Sequence, residues 1–252
     1  MELVKKSLQL DISTLSVQPL SLWQRVSFIM GKYLALVSTK AGGKGTITLG
    51  GITTDCPDAQ YIGTLQSSIV DLYADIIAPK FIARADPVIV DIGANIGQFC
   101  RAAKLLYPKA QIYSFEPDPD IYTILQRNTN RLPDVHTFNL GLGEREQKQP
   151  FYVDERSSLT SSFKKPAAQN NKLHIKYLDI QTLDQLLQSN EHIDLLKIDV
   201  EGYEMNVIRG AVKTLEKTNY LLMELSLDRV PAGGTNLALL SLIHKTWAAF
   251  GE

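Results

Sequence analysis

VIVDIGANIGQF, running from Val88 to Phe99, is the stretch on which the fold turns. Val88 to Asp91 is apolar until its last residue. A short apolar run of this kind reads as a buried parallel strand, not a half-wet antiparallel one. Gly93, Ala94, Asn95, Ile96 and Gly97 then form a loop, and the apolar-periodic QFCRAAKLLY begins at Gln98. Glycines let the backbone turn tightly and approach a ligand closely. The helix behind them aims free N–H groups at whatever occupies the turn. The stretch is a strand, a glycine loop and a helix, the entry to a nucleotide-type pocket. A dinucleotide fingerprint would read G-x-G-x-x-G, whereas here the order is Asp91-x-Gly93-x-x-x-Gly97. A carboxylate at the strand end repels a pyrophosphate but suits a cationic ligand such as the ammonium of S-adenosylmethionine. A glycine-rich turn with no ligand is the plainer alternative.

Working outward, strands and helices alternate. Gln98–Tyr107 is a helix closed by Pro108, Gln111–Glu116 a second strand, and Asp120–Arg131 a second helix with Leu125 in the core. Val135–Leu140 is a third strand, Thr182–Ser189 a helix, Ile193–Asp199 a fourth strand and Glu204–Leu215 a helix. Tyr220–Leu227 is a fifth strand and Asn236–Phe250 a last helix. Repeated βα units predict an α/β fold with a doubly wound, mostly parallel sheet and helices on both faces. Phe151–Val153 and Leu173–Leu178 read as an inserted hairpin around the polar SSLTSSFKKPAAQNN.

Before residue 86 the pattern differs. Leu15, Leu20, Leu22, Trp23, Val26, Ile29, Met30, Tyr33, Leu34 and Val37 fall near helical spacing. One or two amphipathic helices follow, read mainly as an extension packed on the domain. Dimerisation is a secondary reading, and the basic content is low for a membrane-surface helix. AGGKGTITLGG lacks the Gly-Lys-Ser/Thr ending of a phosphate loop, so Thr46–Leu49 reads as a strand between glycine turns. Tyr61–Ala83 reads as mostly helical. We divide the chain into an extension, 1–85, and a main domain, 86–252.

Composition bounds the function. The chain has 252 residues, enough for a full core, and its net charge is −1 with no long basic run. A general nucleic-acid binder is disfavoured. Leu20–Val37 is broken by Trp23, Gln24, Arg25, Lys32 and Tyr33, so no segment reads as transmembrane. With no signal core at the N-terminus, a cytoplasmic location is expected. Cys56 and Cys100 make no metal pattern and read as unpaired thiols, Cys100 in the core.

Ligands in open α/β sheets bind outside the carboxyl ends of the strands. Those ends carry Asp91, Glu116 followed by Asp118, Asn139 followed by Gly141, and Asp199 followed by Glu201 and Gly202. An acid at Glu116 accepts both hydroxyls of an adenosine ribose, a requirement that NAD and S-adenosylmethionine share. Asp199 and Glu201 hold the ligand's amino group, position a substrate hydroxyl, take its proton, or bind a divalent metal. Strand alternation sends Lys197 to the side of Asp199, where pairing with a neighbouring acid is at least as good a reading as catalysis. Among the histidines His174, on the inserted hairpin, has the first claim, ahead of His136, His192 and His244.

These residues resemble the FkbM family of S-adenosylmethionine-dependent methyltransferases. The likeness lies in DIGANIGQF, FEPDPDIYTILQRN, NLGLG, TLDQLL, IDLLKIDVEGYEMNVIRGA and MELS, which together span roughly Val88–Leu227. The resemblance implies a Rossmann-like class I methyltransferase sheet and methyl transfer to a hydroxyl of a small molecule, a sugar or a secondary metabolite. By position, Asp91, Gly93, Asn95 and Gly97 would cradle the methionine part of the cofactor. Glu116 would take the ribose with Asp118 close by, Asn139 and Gly141 would border the adenine, and Asp199 and Glu201 would face the reacting end. The base would be Asp199 or Glu201, with His174 behind them. The antiparallel hairpin that completes such a sheet is expected to be missing after the last helix, which would leave the fifth strand an edge. A homo-oligomer and a metal requirement stay open. The alternatives are a non-catalytic binding or scaffold protein on this fold, and an NAD-type oxidoreductase.

Overall fold

Val88, Ile89 and Val90 are β-branched and flanked by turn residues, and they begin the strand from which the rest of the fold is built. A computed structural model describes residues 2–17, 20–41, 45–49, 52–56, 59–73, 82–154, 161, 163, 173–190 and 192–223. In chain order the strands are β1 (Gly45–Leu49), β2 (Ile52–Cys56), β3 (Val88–Ile92), β4 (Gln111–Phe115), β5 (Val135–Phe138), β6 (Gly141–Leu142), β7 (Gln147–Asp154), β8 (Leu173–Gln181), β9 (Ile193–Ile198) and β10 (Thr218–Met223). The helices are α1 (Glu2–Thr14), α2 (Leu22–Lys40), α3 (Ala59–Leu72), α4 (Gln98–Leu106), α5 (Pro119–Thr129), α6 (Leu183–Leu186), α7 (Glu204–Arg209) and α8 (Val212–Glu216).

The five parallel strands lie in the order β10-β9-β3-β4-β5. Numbered as parallel strands alone, that is fifth, fourth, first, second, third, so the direction of winding reverses between β3 and β9. Ile89 pairs with Leu195 and Ile92 with Ile198 across this reversal. Ile89, Val90, Asp91 and Ile92 are all buried, as a central strand covered on both faces requires. The expected α/β fold with a parallel sheet is present.

Two compact units share the chain. One comprises Met1–Pro87, Ala94–Ile112 and Thr123–His136; the other comprises Val88–Gly93, Tyr113–Tyr122 and Thr137–Glu252. Within the first, α1 and α2 pack on α3, α2 and α3 on β1, and α3 on α4. β2, which the sequence reading did not distinguish, forms an antiparallel hairpin with β1. The N-terminal helices are held by ions as well as by apolar packing. Lys32, 2% exposed, donates to Asp11, to Ser7 Oγ at 3.1 Å and to Gln66 Oε1 at 3.2 Å. Gln66 Nε2 donates to Asp11 at 2.8 Å and to Thr14 at 2.9 Å, while Tyr33 donates to Asp11 at 2.7 Å. Every member has a partner, which is the condition for burying such a network.

Within the second unit the inserted hairpin is a three-stranded sheet, β6-β8-β7, with β7 and β8 antiparallel. Phe151, Phe163 and Tyr203 form an aromatic file, with ring centroids 4.8 and 5.2 Å apart. The helix expected over Glu204–Leu215 is two helices. A Cβ at Gly210 would lie 1.9 Å from the Gly143 carbonyl oxygen, and the Gly210 carbonyl accepts the Asp184 N–H at 3.1 Å. The break admits a crossing chain. The Leu-Asp pair of TLDQLL is a structural device: Leu183 is fully buried, and Asp184 caps α8 by accepting from the Lys213 and Thr214 N–H groups and the Thr214 hydroxyl. The helix expected over Thr182–Ser189 is confined to one short turn.

Cys100 and Leu125 are fully buried in the core, as expected, and Cys56 is buried too. The last helix, the fifth strand beyond Met223 with Glu224 and Ser226, and residues 74–81 of the helix expected over Tyr61–Ala83 lie outside the described residues, as do most of the polar hairpin loop and the stretch on which the expected absence of a C-terminal hairpin turns; Ile82 and Ala83, the expected end of that helix, are not helical.

Candidate active site at the strand ends

The end of β3 meets the end of β9 through one lysine. Lys197 Nζ lies 3.3 Å from Asp91 Oδ1, 3.2 Å from Asp199 Oδ2 and 3.2 Å from the Gly93 carbonyl oxygen. The ammonium donates a hydrogen bond to the Gly93 carbonyl and forms ion pairs with both carboxylates. Burial works against the charge on Lys197, but Asp91 and Asp199 outweigh it, and its pKa is pushed up to about 12. The pairing reading of Lys197 is the one the geometry bears out. Asp91 is fully buried, whereas the Asp199 side chain is 38% exposed. Two carboxylates and one ammonium leave a net charge of −1 at this corner.

Gly93 is the hinge of the same corner. Its φ is +77°, and a Cβ there would sit 1.8 Å from the Asp199 carbonyl oxygen. The Asp199 N–H donates to the Ile92 carbonyl at 3.0 Å, which continues the β3–β9 ladder up to the glycine. Only glycine satisfies both demands. Glu201 and Gly202 follow at φ +52° and +95°, so the chain turns sharply as it leaves β9, and the Gly202 N–H donates to Glu204 at 2.8 Å.

At the end of β4, Glu116 is 6% exposed, and its Oε1 accepts the Asp118 N–H at 2.9 Å. Asp118 is 3% exposed and caps α5, accepting the Asp120 N–H at 2.9 Å ahead of Pro119 in the first turn. Lys176, on β8, reaches both acids: its Nζ is 2.8 Å from Asp118 Oδ1 and 2.8 Å from Asp120 Oδ2. Burial opposes its charge, the hydrogen bonds to the two acids prevail, and its pKa is raised. Asn139 Nδ2 donates to the carbonyls of Glu116 and Pro117 at 2.9 and 3.0 Å, and so fixes the turn that carries Glu116.

The structure therefore groups Asp91, Gly93 and Asp199, and separately Glu116, Asp118 and Asn139. Gly141 lies in β6 opposite Ile180, and a Cβ there would lie 2.6 Å from Phe163. Its lack of a side chain is accounted for by packing. His174 is exposed on β8, opposite Val153. In the other unit, Asn95 has φ +52° and its side chain accepts the Ile96 N–H at 2.8 Å. Gly97 has φ +91°, and a Cβ there would lie 2.9 Å from Leu125 Cδ1. Lys176 was missed in the sequence. The available signal was a lysine at an inward position of β8, in phase with the buried Ile180. Among the described residues no group of three or more His, Cys, Asp and Glu side chains is disposed to hold a metal ion.

Residues 91–246 match the methyltransferase FkbM domain. Over 179 residues the chain is 29% identical to the 2-O-methyltransferase NoeI of Sinorhizobium fredii, covering 65% of this chain and 74% of that protein. It is 29% identical over 158 residues to the hexuronic acid methyltransferase AglP of Haloferax volcanii, covering 62% of each. A solved methyltransferase FkbM from Methylobacillus flagellatus KT is similar at 16% identity with a TM-score of 0.41, over 66% of this chain and 44% of that one. With well over half of its residues inside that domain, the chain belongs to the FkbM family of methyltransferases.

Proposed function

We propose that the protein is an S-adenosylmethionine-dependent O-methyltransferase acting on a hydroxyl of a small molecule, a sugar or a secondary metabolite. The observation that carries this reading is the file of acids, Glu116, Asp91 and Asp199, at the carboxyl ends of the adjacent strands β4, β3 and β9. That is where an open α/β sheet takes its ligand. The likeness to NoeI, a 2-O-methyltransferase, and to AglP, a hexuronic acid methyltransferase, supports the hydroxyl and the sugar.

The residues fit the cofactor. The net negative corner of Asp91, Lys197 and Asp199 suits a cationic ligand, and Gly93 lets the Asp199 backbone close against the end of β3 and hold that corner together. In our reading the Asp91–Gly97 loop, with Asn95 and Gly97, cradles the methionine part. Glu116 takes the ribose hydroxyls, braced by the Asp118 N–H, and Asn139 and Gly141 border the adenine. When bound, S-adenosylmethionine supplies a methyl group already activated by its positive sulfur.

What remains for the chain is placement and a proton. Holding the acceptor oxygen about 3–3.5 Å from the reacting carbon is worth ~7–11 kcal/mol of the barrier. Asp199, with Oδ2 oriented by Lys197, is our first choice to receive the hydroxyl proton on Oδ1, a step worth about 10²–10⁴-fold. Glu201 is the second choice and His174 the third. We further propose a cytoplasmic location, with 1–85 as the extension and 86–252 as the catalytic domain.

The test is labelled-methyl transfer to a panel of monosaccharides and uronic acids, alongside calorimetry with S-adenosylhomocysteine. We expect transfer to at least one hydroxyl acceptor. Asp199→Asn should lower kcat by about 10²–10⁴-fold with S-adenosylhomocysteine affinity held within about threefold. A chain that binds S-adenosylhomocysteine yet moves no methyl to any hydroxyl is a binding protein on the same fold.

A further inference from the structure

We propose that the outer face of the two N-terminal helices docks the protein onto an anionic lipid surface. α2 faces inward with Phe28, Lys32 and Ala35, all buried. Its opposite side is apolar too, and it is exposed: Trp23 75%, Met30 60%, Leu34 71% and Val37 68%. These residues stand at i, i+7, i+11 and i+14, a single stripe about 21 Å long at 1.5 Å per residue. α1 adds Leu8 at 52% and Ile12 at 67%. Among the described residues, nine of the twelve large apolar side chains that are exposed fall between Leu8 and Val37. Scattered apolar side chains need no explanation; a continuous band does. A surface helix carries one apolar face, and α2 carries two.

α2 alone is poor in basic residues, but the charge of the whole segment 1–44 says what covers the second face. Residues 1–44 carry six Lys and Arg against two Asp and Glu, while the rest of the chain carries twenty against twenty-five. One basic and one acidic group of that segment are spent on the internal Lys32–Asp11 pair. By sequence the segment's other charged residues are Lys5, Lys6, Arg25, Lys40 and Lys44 against Glu2 alone. An isologous contact between two copies would bring one such positive segment against another. An anionic bilayer surface meets the same charge with the favourable sign, and it accepts the apolar stripe into the headgroup boundary. Trp23 at the start of α2 is the residue type that interfaces favour. No described helix is long and apolar enough to cross a membrane, so the mode is lying on the surface.

The experiment is co-sedimentation of the full chain with vesicles of phosphatidylcholine alone and of phosphatidylcholine with about a third phosphatidylserine, with analytical ultracentrifugation in the absence of lipid. We expect pelleting with the anionic vesicles only, lost at about 0.5 M salt, where charges are screened beyond a few ångströms. The double variant Met30→Glu, Leu34→Glu changes two exposed positions, so a wild-type melting temperature will certify its fold. It should bind the anionic vesicles at least about tenfold more weakly. The proposal is overturned by a lipid-free dimer that the double variant dissociates, which assigns the face to a second copy. It is equally overturned by a monomer that binds neither vesicle, by binding that the double variant retains, or by binding indifferent to lipid charge and salt.

Discussion

Lys197 shows how far one side chain organises the strand ends. It is surrounded by Asp91, Asp199 and the Gly93 carbonyl, and of these Asp91 has no access to water. Lys197→Met would leave a buried carboxylate without its cation, which typically costs about 3–5 kcal/mol. Chemical denaturation should read that loss, with Asp199→Asn costing less because the Asp199 side chain is partly solvated. Alkaline melts add a signed prediction. Folding raises the Lys197 pKa from 10.5 to about 12, so the folded chain holds that proton more tightly than the unfolded chain. The resulting stability, on the order of 2 kcal/mol, is complete below about pH 10.5 and fades as pH rises through about 12. Between those limits the wild type should lose stability that Lys197→Met, already lower, no longer has to lose. Gly93→Ala sets a Cβ 1.8 Å from a backbone oxygen at a left-handed φ. Neither partner can yield, and we expect a loss above about 2 kcal/mol together with loss of S-adenosylhomocysteine binding.

At the level of elements, the docking of α1 rests on the Asp11–Lys32–Gln66 network. Asp11→Asn removes the carboxylate that pairs with Lys32 and leaves that ammonium, 2% exposed, without this counter-ion. We expect about 3–5 kcal/mol of destabilisation and faster hydrogen exchange first in α1. The pH dependence has the opposite sign to that of Lys197. Burial alone would raise the Asp11 pKa, but hydrogen bonds from Lys32, Gln66 and Tyr33 prevail and hold it below the usual value. Its contribution is present above about pH 4 and lost as pH falls through that depressed pKa. Gln66→Leu should cost less, about 1–3 kcal/mol, since it orphans hydrogen-bonding groups but no charge. The elements themselves were mostly legible. Val88–Asp91, Gln98–Tyr107 and Val135–Leu140 were placed to within a residue or two of β3, α4 and β5, because periodicity and turn residues are local signals. What escaped was set from far away in sequence. The break at Gly210 is dictated by Gly143, and the restraint on Asp118 by Lys176, 58 residues on.

For the whole molecule, the decisive feature is the reversal of winding between β3 and β9, which puts carboxylates from three strands at one end of the sheet. The order of acids and glycines along the chain was sufficient to expect those strand ends. The division of labour among them was not, because ion pairing across strands has no sequence period. This arrangement predicts which nucleotide-like ligand will stabilise the fold. A pyrophosphate at the β3 turn would meet the fully buried Asp91 carboxylate and a corner of net negative charge. A cationic amino-acid moiety meets the same corner with attraction. Thermal unfolding with S-adenosylmethionine, S-adenosylhomocysteine and NAD separates the cases. A ligand at about a hundred times its dissociation constant adds ~2.7 kcal/mol, a melting shift of roughly 5–10 °C for a chain of this size. We expect that shift with the first two and none with NAD. A shift with NAD alone would mean that Lys197 faces a phosphate rather than its two aspartates, and would return the fold to an oxidoreductase.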